Sequence, residues 1–145
     1  MLATDIRIAA DHAIFGLPEV AHGLIPFAGA AIRLPQQVPY AAAMQLMLTG
    51  ESIDAATARR IGLVNEVLPA PEVLPRAMAI AERIAANGPL AVQRLKQTVL
   101  ASIGRPLADG FRIEDASRTA VLATEDAREG PRAFAEKRQP KFGGS

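Results

Sequence analysis

Hydrophobic positions come in short β-rich runs early in the chain and at helical spacing later, so strands lead and helices follow. Leu2 to Ala10 is an apolar run with Asp5 and Arg7 interposed, and its half-alternation predicts a strand packed on one face. Ala13 to Phe15 predicts a second, shorter strand. Gly29 to Leu34 begins a helix interrupted before Pro35, and Pro39 to Leu48 reads as another, with Pro39 tolerated in its first turn and Gly50 as its stop. Asp54 can cap a helix over Ala55 to Ile61 by accepting an amide of Ala56 or Thr57, with Gly62 in the C-terminal glycine position. Leu63 to Leu68 predicts a strand, and Pro69, Pro71 and Pro75 punctuate the connection after it.

Beyond those prolines the period is helical. Ala77, Ile80, Ala81, Ile84 and Ala85 share one face, and after the Asn87-Gly88-Pro89 turn a second stripe runs through Val92, Leu95, Val99, Leu100 and Ile103 to Gly104. Both helices are expected to pack, the two stripes against each other. Pro106 to Ala123 continues helical, with Gly110 inside it at a cost of about 1 kcal/mol. Thr124 is a candidate N-cap for a last helix, whose early acids Glu125 and Asp126 suit the positive end of the helix dipole and whose later Arg128, Arg132 and Lys137 suit the other. Gln139 to Ser145 reads as a tail.

One stretch, Phe15 to Pro35, departs from this regular patterning. It sets a single carboxylate, Glu19, on a short loop after a strand and follows it with a bend rich in glycine and proline that opens a helix. Backbone amides face outward at such places, so the stretch is a pocket candidate; a turn-rich start to a helix is the plainer reading of the same residues.

Composition narrows the classes. The 145 residues are 50% hydrophobic and 21% charged, a globular balance for one ordinary domain. With 16 basic against 15 acidic side chains there is no electrostatic footprint for nucleic acid or an anionic membrane. Cysteine is absent, which removes disulfides, thiolate catalysis and sulfur-ligated metals, and two isolated histidines make no metal cluster. The most apolar run, Gly23 to Ile32, is short and broken by Pro26, and a cytoplasmic protein is expected.

A series of words carries a family resemblance. Asp5-Ile6-Arg7-Ile8-Ala9-Ala10, Phe15-Gly16-Leu17-Pro18-Glu19, Gly23-Leu24-Ile25-Pro26, Arg33-Leu34-Pro35, Leu48-Thr49-Gly50 with Ile53-Asp54-Ala55, Gly62-Leu63-Val64-Asn65, and Glu125-Asp126-Ala127-Arg128-Glu129-Gly130 with Glu136-Lys137-Arg138 stand in order along nearly the whole chain. In that order and spacing they resemble the enoyl-CoA hydratase/isomerase (crotonase) family. The resemblance implies an α/β fold: residues 1–68 would be the last turns of a crotonase-like spiral ββα core, and residues 69–145 a helical C-terminal trimerisation region. It implies acyl-CoA thioesters as substrates, coenzyme A entering as part of the substrate with no separate cofactor, and a homo-oligomer, trimeric or hexameric. It also implies that a CoA-binding loop, a glycine-rich oxyanion segment and one catalytic carboxylate precede the residue numbered Met1. Met1 is therefore expected to be an internal methionine of a longer reading frame, or the gene to be truncated.

The resemblance assigns roles residue by residue. Glu19 matches the carboxylate that serves hydratases as the second acid/base residue, and a partly buried carboxylate suits proton transfer near neutral pH. Phe27, in Pro26-Phe27-Ala28-Gly29-Ala30, stands where the family commonly has glycine and is expected near the acyl group. Phe134, Lys137, Arg138 and Phe142 match a word that in the family lies near the CoA nucleotide of a neighbouring subunit, and a lysine suits a phosphate as a point charge. A plain cationic helix end accounts equally well for those residues. His22 is not expected to be catalytic, and Lys96 is expected to be a solvated lysine. Two functions are in view: hydration of a 2-enoyl-CoA or isomerisation of its double bond, in fatty-acid metabolism, or a non-catalytic remnant that oligomerises with full-length relatives.

Overall fold

A computed structural model describes all 145 residues. The order is β1 (Ile8–Ala10), β2 (Ile14–Phe15), α1 (Ala30–Gln37), α2 (Tyr40–Thr49), β3 (Ile53–Asp54), α3 (Ala55–Arg60), β4 (Glu66–Leu68), α4 (Ala70–Ala85), α5 (Pro89–Ser102), α6 (Leu107–Leu122) and α7 (Asp126–Ala135), with a 3-10 helix at Pro18–His22. The chain divides into two compact units, Met1–Met78 and Ala79–Ser145, and the boundary falls inside α4. The fold is α/β and mostly helical.

In the first unit, β1 runs parallel to β4 with Ile8 opposite Glu66 and Ala10 opposite Leu68, and β2 runs antiparallel to β3 with Phe15 opposite Ile53. A parallel pair needs a crossover, and α1 to α3 lie along it. Both expected long strands are shorter than their apolar runs. The ladder starts only at Ile8 and Glu66, because Asn65 intervenes: its Oδ1 accepts from the Arg7 amide at 2.8 Å and its own amide donates to the Arg7 carbonyl. Leu63 and Val64 are buried, but as the turn after α3, both amides donating to the Ala58 carbonyl.

The core gathers Ala9, Leu34, Val38, Leu46, Met47 and Leu63, with Ala43 and Ala58 letting the helices approach closely. Leu34, 2% exposed, also explains why α1 continues through Pro35 to Gln37: proline forfeits a single backbone bond, and burying the adjacent leucine outweighs it. Pro71 and Pro75 likewise lie within α4, which begins at Ala70. Capping of α3 follows expectation, with the Asp54 Oδ1 accepting from the Thr57 amide at 2.8 Å and Gly62 left-handed at φ 77°. That amide holds the Asp54 carboxyl below its ordinary range.

The second unit differs more from expectation. α5 packs on α6, joined by a 2.7 Å hydrogen bond between the Thr98 and Ser117 hydroxyls. Its stripe is not core: Leu95, Val99, Leu100 and Ile103 are all more than half exposed, and α4 has no buried residue. No helix is long and apolar enough to cross a membrane.

Since Leu34 is the largest fully buried side chain, Leu34→Ala should cost about 3 kcal/mol of stability in urea denaturation. A loss below about 1 kcal/mol would show that the core is not organised around it.

Candidate functional site

Glu19 is set in place by two glycines. At the end of β2, a Cβ on Gly16 would lie 2.5 Å from the Ser52 Oγ and 3.3 Å from its Cα, so a side chain there would crowd Ser52. Past it, Pro18 starts the 3-10 turn that carries Glu19, and this turn rests on the end of α2, where a Cβ on Gly50 would meet the Pro18 Cα and the Val20 Cγ2 at 3.4 Å. Gly50 is left-handed as well, at φ 68°. The turn closes on the left-handed Gly23, with the Leu24 amide donating to the Glu19 carbonyl at 3.0 Å. Both faces of the short turn are thereby fixed.

The carboxylate itself is half-buried, and its Oε2 is buried without any hydrogen-bond partner. Buried polar atoms are almost always answered, because leaving one unanswered costs about 1–3 kcal/mol. An unanswered carboxylate oxygen on a rigid turn can accept a proton or a hydrogen bond from a ligand without first breaking a bond within the chain.

Phe27 lies after the Gly23 turn and is 73% exposed, among the exposed Leu24 and Ile25 and the buried Pro26. Ala28 comes next in the left-handed region at φ 57°, unusual for a residue with a side chain, and the Arg33 Nη1 donates to its carbonyl at 3.2 Å. A Cβ on Gly29 would collide with that guanidinium at 2.0 Å. The bend is therefore strained at Ala28 and tied by the Arg33 side chain. His22 is exposed.

Phe134, Lys137, Arg138 and Phe142 belong to the second unit. α7 is capped by Thr124, whose hydroxyl accepts from the Ala127 amide at 3.1 Å. Two acids on its buried face, Asp126 and Glu129, do more than answer the helix dipole. Asp126 accepts from the amides of Gly143 and Gly144 at 2.7 and 2.9 Å. Glu129 accepts from Arg138 through both oxygens, at 2.6 and 3.0 Å, from Arg132, and from the Lys141 amide at 2.9 Å. The Ser145 carbonyl receives the Glu125 and Asp126 amides, and the Phe142 ring covers Gly88 and Gly130. Gln139 to Ser145 is thus a clasp bound to α7, where a tail was expected. No local pattern signals it, because the clasp partners of these two acids lie beyond the end of the helix that carries them.

Lys137 sits between α7 and this clasp at φ 54°, where glycine is the usual occupant and a side chain costs about 1 kcal/mol. Phe134 is 87% exposed. The sequence-predicted residues are thus distributed as Glu19 and Phe27 on one segment of the first unit, and Phe134 and Lys137 on one turn of the second.

The enoyl-CoA hydratase/isomerase family model matches residues 1–145. The chain belongs to that family. It is 44% identical, over 96% of its length, to enoyl-CoA hydratase EchA19 of Mycobacterium tuberculosis, and 38% identical to the carnitinyl-CoA dehydratase of Proteus mirabilis strain HI4320. The crystal structure of an enoyl-CoA hydratase from Bacillus anthracis superposes with a TM-score of 0.97 at 40% identity, covering 99% of this chain and 56% of that one. An enoyl-CoA hydratase from Mycobacterium tuberculosis H37Rv does so at 0.94 and 42%. The fold is therefore that of the crotonase-like enzymes. The chain spans about half the length of the curated relatives it matches, 52% and 56% for the two above. Within this member of the family, the orphaned carboxylate oxygen belongs to Glu19.

Glu129 gives a pH signature. Hydrogen bonds from Arg138, then from Arg132 and the Lys141 amide, hold its carboxyl well below the ordinary 4.5. The unfolded chain takes up this proton first, so the stabilisation is fully present above the ordinary value and is lost as pH falls toward the folded one. Wild type should therefore lose stability from about pH 5 down to about pH 3 more steeply than Glu129→Gln in urea midpoints. Parallel profiles would contradict this.

Proposed function

We propose that this chain serves an enzyme acting on acyl-CoA thioesters, by hydration of a 2-enoyl-CoA or migration of its double bond, with Glu19 as a proton-transferring residue. The observation that carries the reading is the buried, unpartnered Oε2 of Glu19 on its glycine-fixed turn. In hydration, water gives its oxygen to C3 and C2 gains a proton, so one proton must be taken and one delivered. Glu19 would supply one of these transfers. Donors for the developing enolate oxygen belong, by the resemblance, to the length that the relatives have and this chain does not span. Phe27 would limit the acyl chain, being large and exposed where the family has glycine. Phe134 and Lys137 would meet the nucleotide end of coenzyme A, Lys137 through a phosphate. Coenzyme A arrives with the substrate, and no other cofactor is invoked. We place the enzyme in the cytoplasm and in fatty-acid metabolism, with neither nucleic acid nor membrane as a partner.

A second reading has its own support. Leu95, Val99, Leu100 and Ile103 of α5 and Leu107 and Phe111 of α6 leave a broad apolar surface open, the kind that marks an interface. Self-association as a trimer or hexamer would cover it in an enzyme; a non-catalytic chain that oligomerises with longer relatives would use it alone.

Turnover tests the first reading. In a chimera where the Mycobacterium tuberculosis relative supplies the length not spanned here, Glu19→Gln should lower crotonyl-CoA hydration by about 100-fold or more and leave coenzyme A affinity within a few-fold. Near-normal turnover would remove Glu19 from the mechanism. For the shared interface, light scattering after size exclusion should find the 145-residue chain self-associated. A compact monomer would count against that surface as an interface.

A further inference from the structure

Lys137 is a side chain kept where the backbone favours glycine, at φ 54° directly after α7. Such a conformation persists only where its neighbours impose it, and here the neighbours can be named. Before Lys137, the α7 end is closed by the Glu136 amide donating to the Arg132 carbonyl and the Lys137 amide donating to the Phe134 carbonyl. After it, the Arg138 amide returns to the Ala133 carbonyl at 3.0 Å, and the Arg138 side chain is drawn back to Glu129. Farther along, the Lys141 amide is held by the same carboxylate. Glu129 therefore grips the chain beyond Lys137 from a position one helical stretch before it.

Charge adds a second argument. Glu129 is bound by Arg132 and Arg138, and Glu136 by Arg138 at 2.6 Å, so the acids nearest the turn are taken by arginines. Lys137 is exposed, and its ammonium is left without an internal counter-ion. A lysine meant only to solvate a helix end would need neither the left-handed backbone nor this pairing of its neighbours.

We propose that Glu129 is a positioning residue for anion recognition at Lys137: by binding Arg138 and the Lys141 amide, it fixes the left-handed turn from which the lysine meets a phosphate of coenzyme A. This rests on the reading of Lys137 as a coenzyme A contact. Glu129 itself touches no ligand. It acts only through the turn.

The test is a double-mutant cycle in the chimera that supplies the length not spanned here, with coenzyme A and dephospho-coenzyme A titrated against the amide resonances of the α7 turn. Lys137→Ala should weaken coenzyme A binding about fivefold, the worth of one exposed charge contact. Glu129→Gln should weaken it about as much, and the double variant no further than Lys137→Ala alone. Loss shared by both single variants on coenzyme A but not on dephospho-coenzyme A identifies the 3′-phosphate; equal loss on both ligands identifies the diphosphate, and either supports the proposal. If Glu129→Gln disrupts α7, Arg138→Gln replaces it in the cycle, because Glu129 then keeps Arg132 and the Lys141 amide. Additive losses, or unchanged binding in Glu129→Gln beside a weakened Lys137→Ala, would overturn the positioning role while leaving the lysine contact standing. No effect of Lys137→Ala, or no coenzyme A response from wild type, would overturn the lysine contact itself and the proposal with it.

Discussion

A carboxylate taken out of water must be answered by donors, and the way this chain answers its carboxylates organises both units. Asp126 and Glu129 are buried and fully answered from within, by glycine amides, two arginines and the Lys141 amide. Those bonds convert the last residues into a clasp and lock the turn at Lys137. Glu19 is the contrast. Its Oε2 is withdrawn from water and answered by nothing in the chain. Satisfied acids hold structure, and an unsatisfied one is held by structure, which is the arrangement expected of a group whose partner is a substrate.

Glycine and strain supply the holding. Gly16 makes a close contact with Ser52 that a Cβ would crowd, and Gly50 supplies the left-handed backbone, at φ 68°, on which the turn rests. Neither reflects loop flexibility. Ala28 and Lys137 do the opposite, keeping side chains in left-handed backbone, and both lie on segments that carry residues assigned to substrate by family resemblance. Strain at these positions is maintained by identifiable bonds, the Arg33 guanidinium on the Ala28 carbonyl and the Glu129 grip beyond Lys137.

Features whose partners lie close in sequence were legible before the fold was known. The Asp54 cap, its Gly62 stop and the Thr124 cap each involve groups a few residues apart, and all three form as read. Longer-range features were not. Nothing local reveals that Asp126 reaches Gly143 and Gly144, so a clasp looked like a tail. Pro35, Pro71 and Pro75 looked like breaks, yet Pro71 lies in the first turn of α4, where no helix bond is lost, and Pro35 and Pro75 each remove only one. The α5 stripe had the right period for a core and still lies open, because periodicity shows that a face is apolar without showing what covers it. The turn carrying Glu19 was legible as a family word; its unanswered oxygen was visible only once Gly16 and Gly50 had been placed.

The central claim is that Glu19 lacks a partner because an acyl-CoA ligand provides one. Carboxyl carbon NMR on glutamate-labelled chimera, with the Glu19 signal assigned through Glu19→Gln, measures this directly when 3-hydroxybutyryl-CoA is added. The account predicts that the Glu19 carboxyl resonance moves on binding while that of Glu129, already saturated by its own donors, stays in place. A Glu19 resonance unchanged by saturating ligand would contradict it.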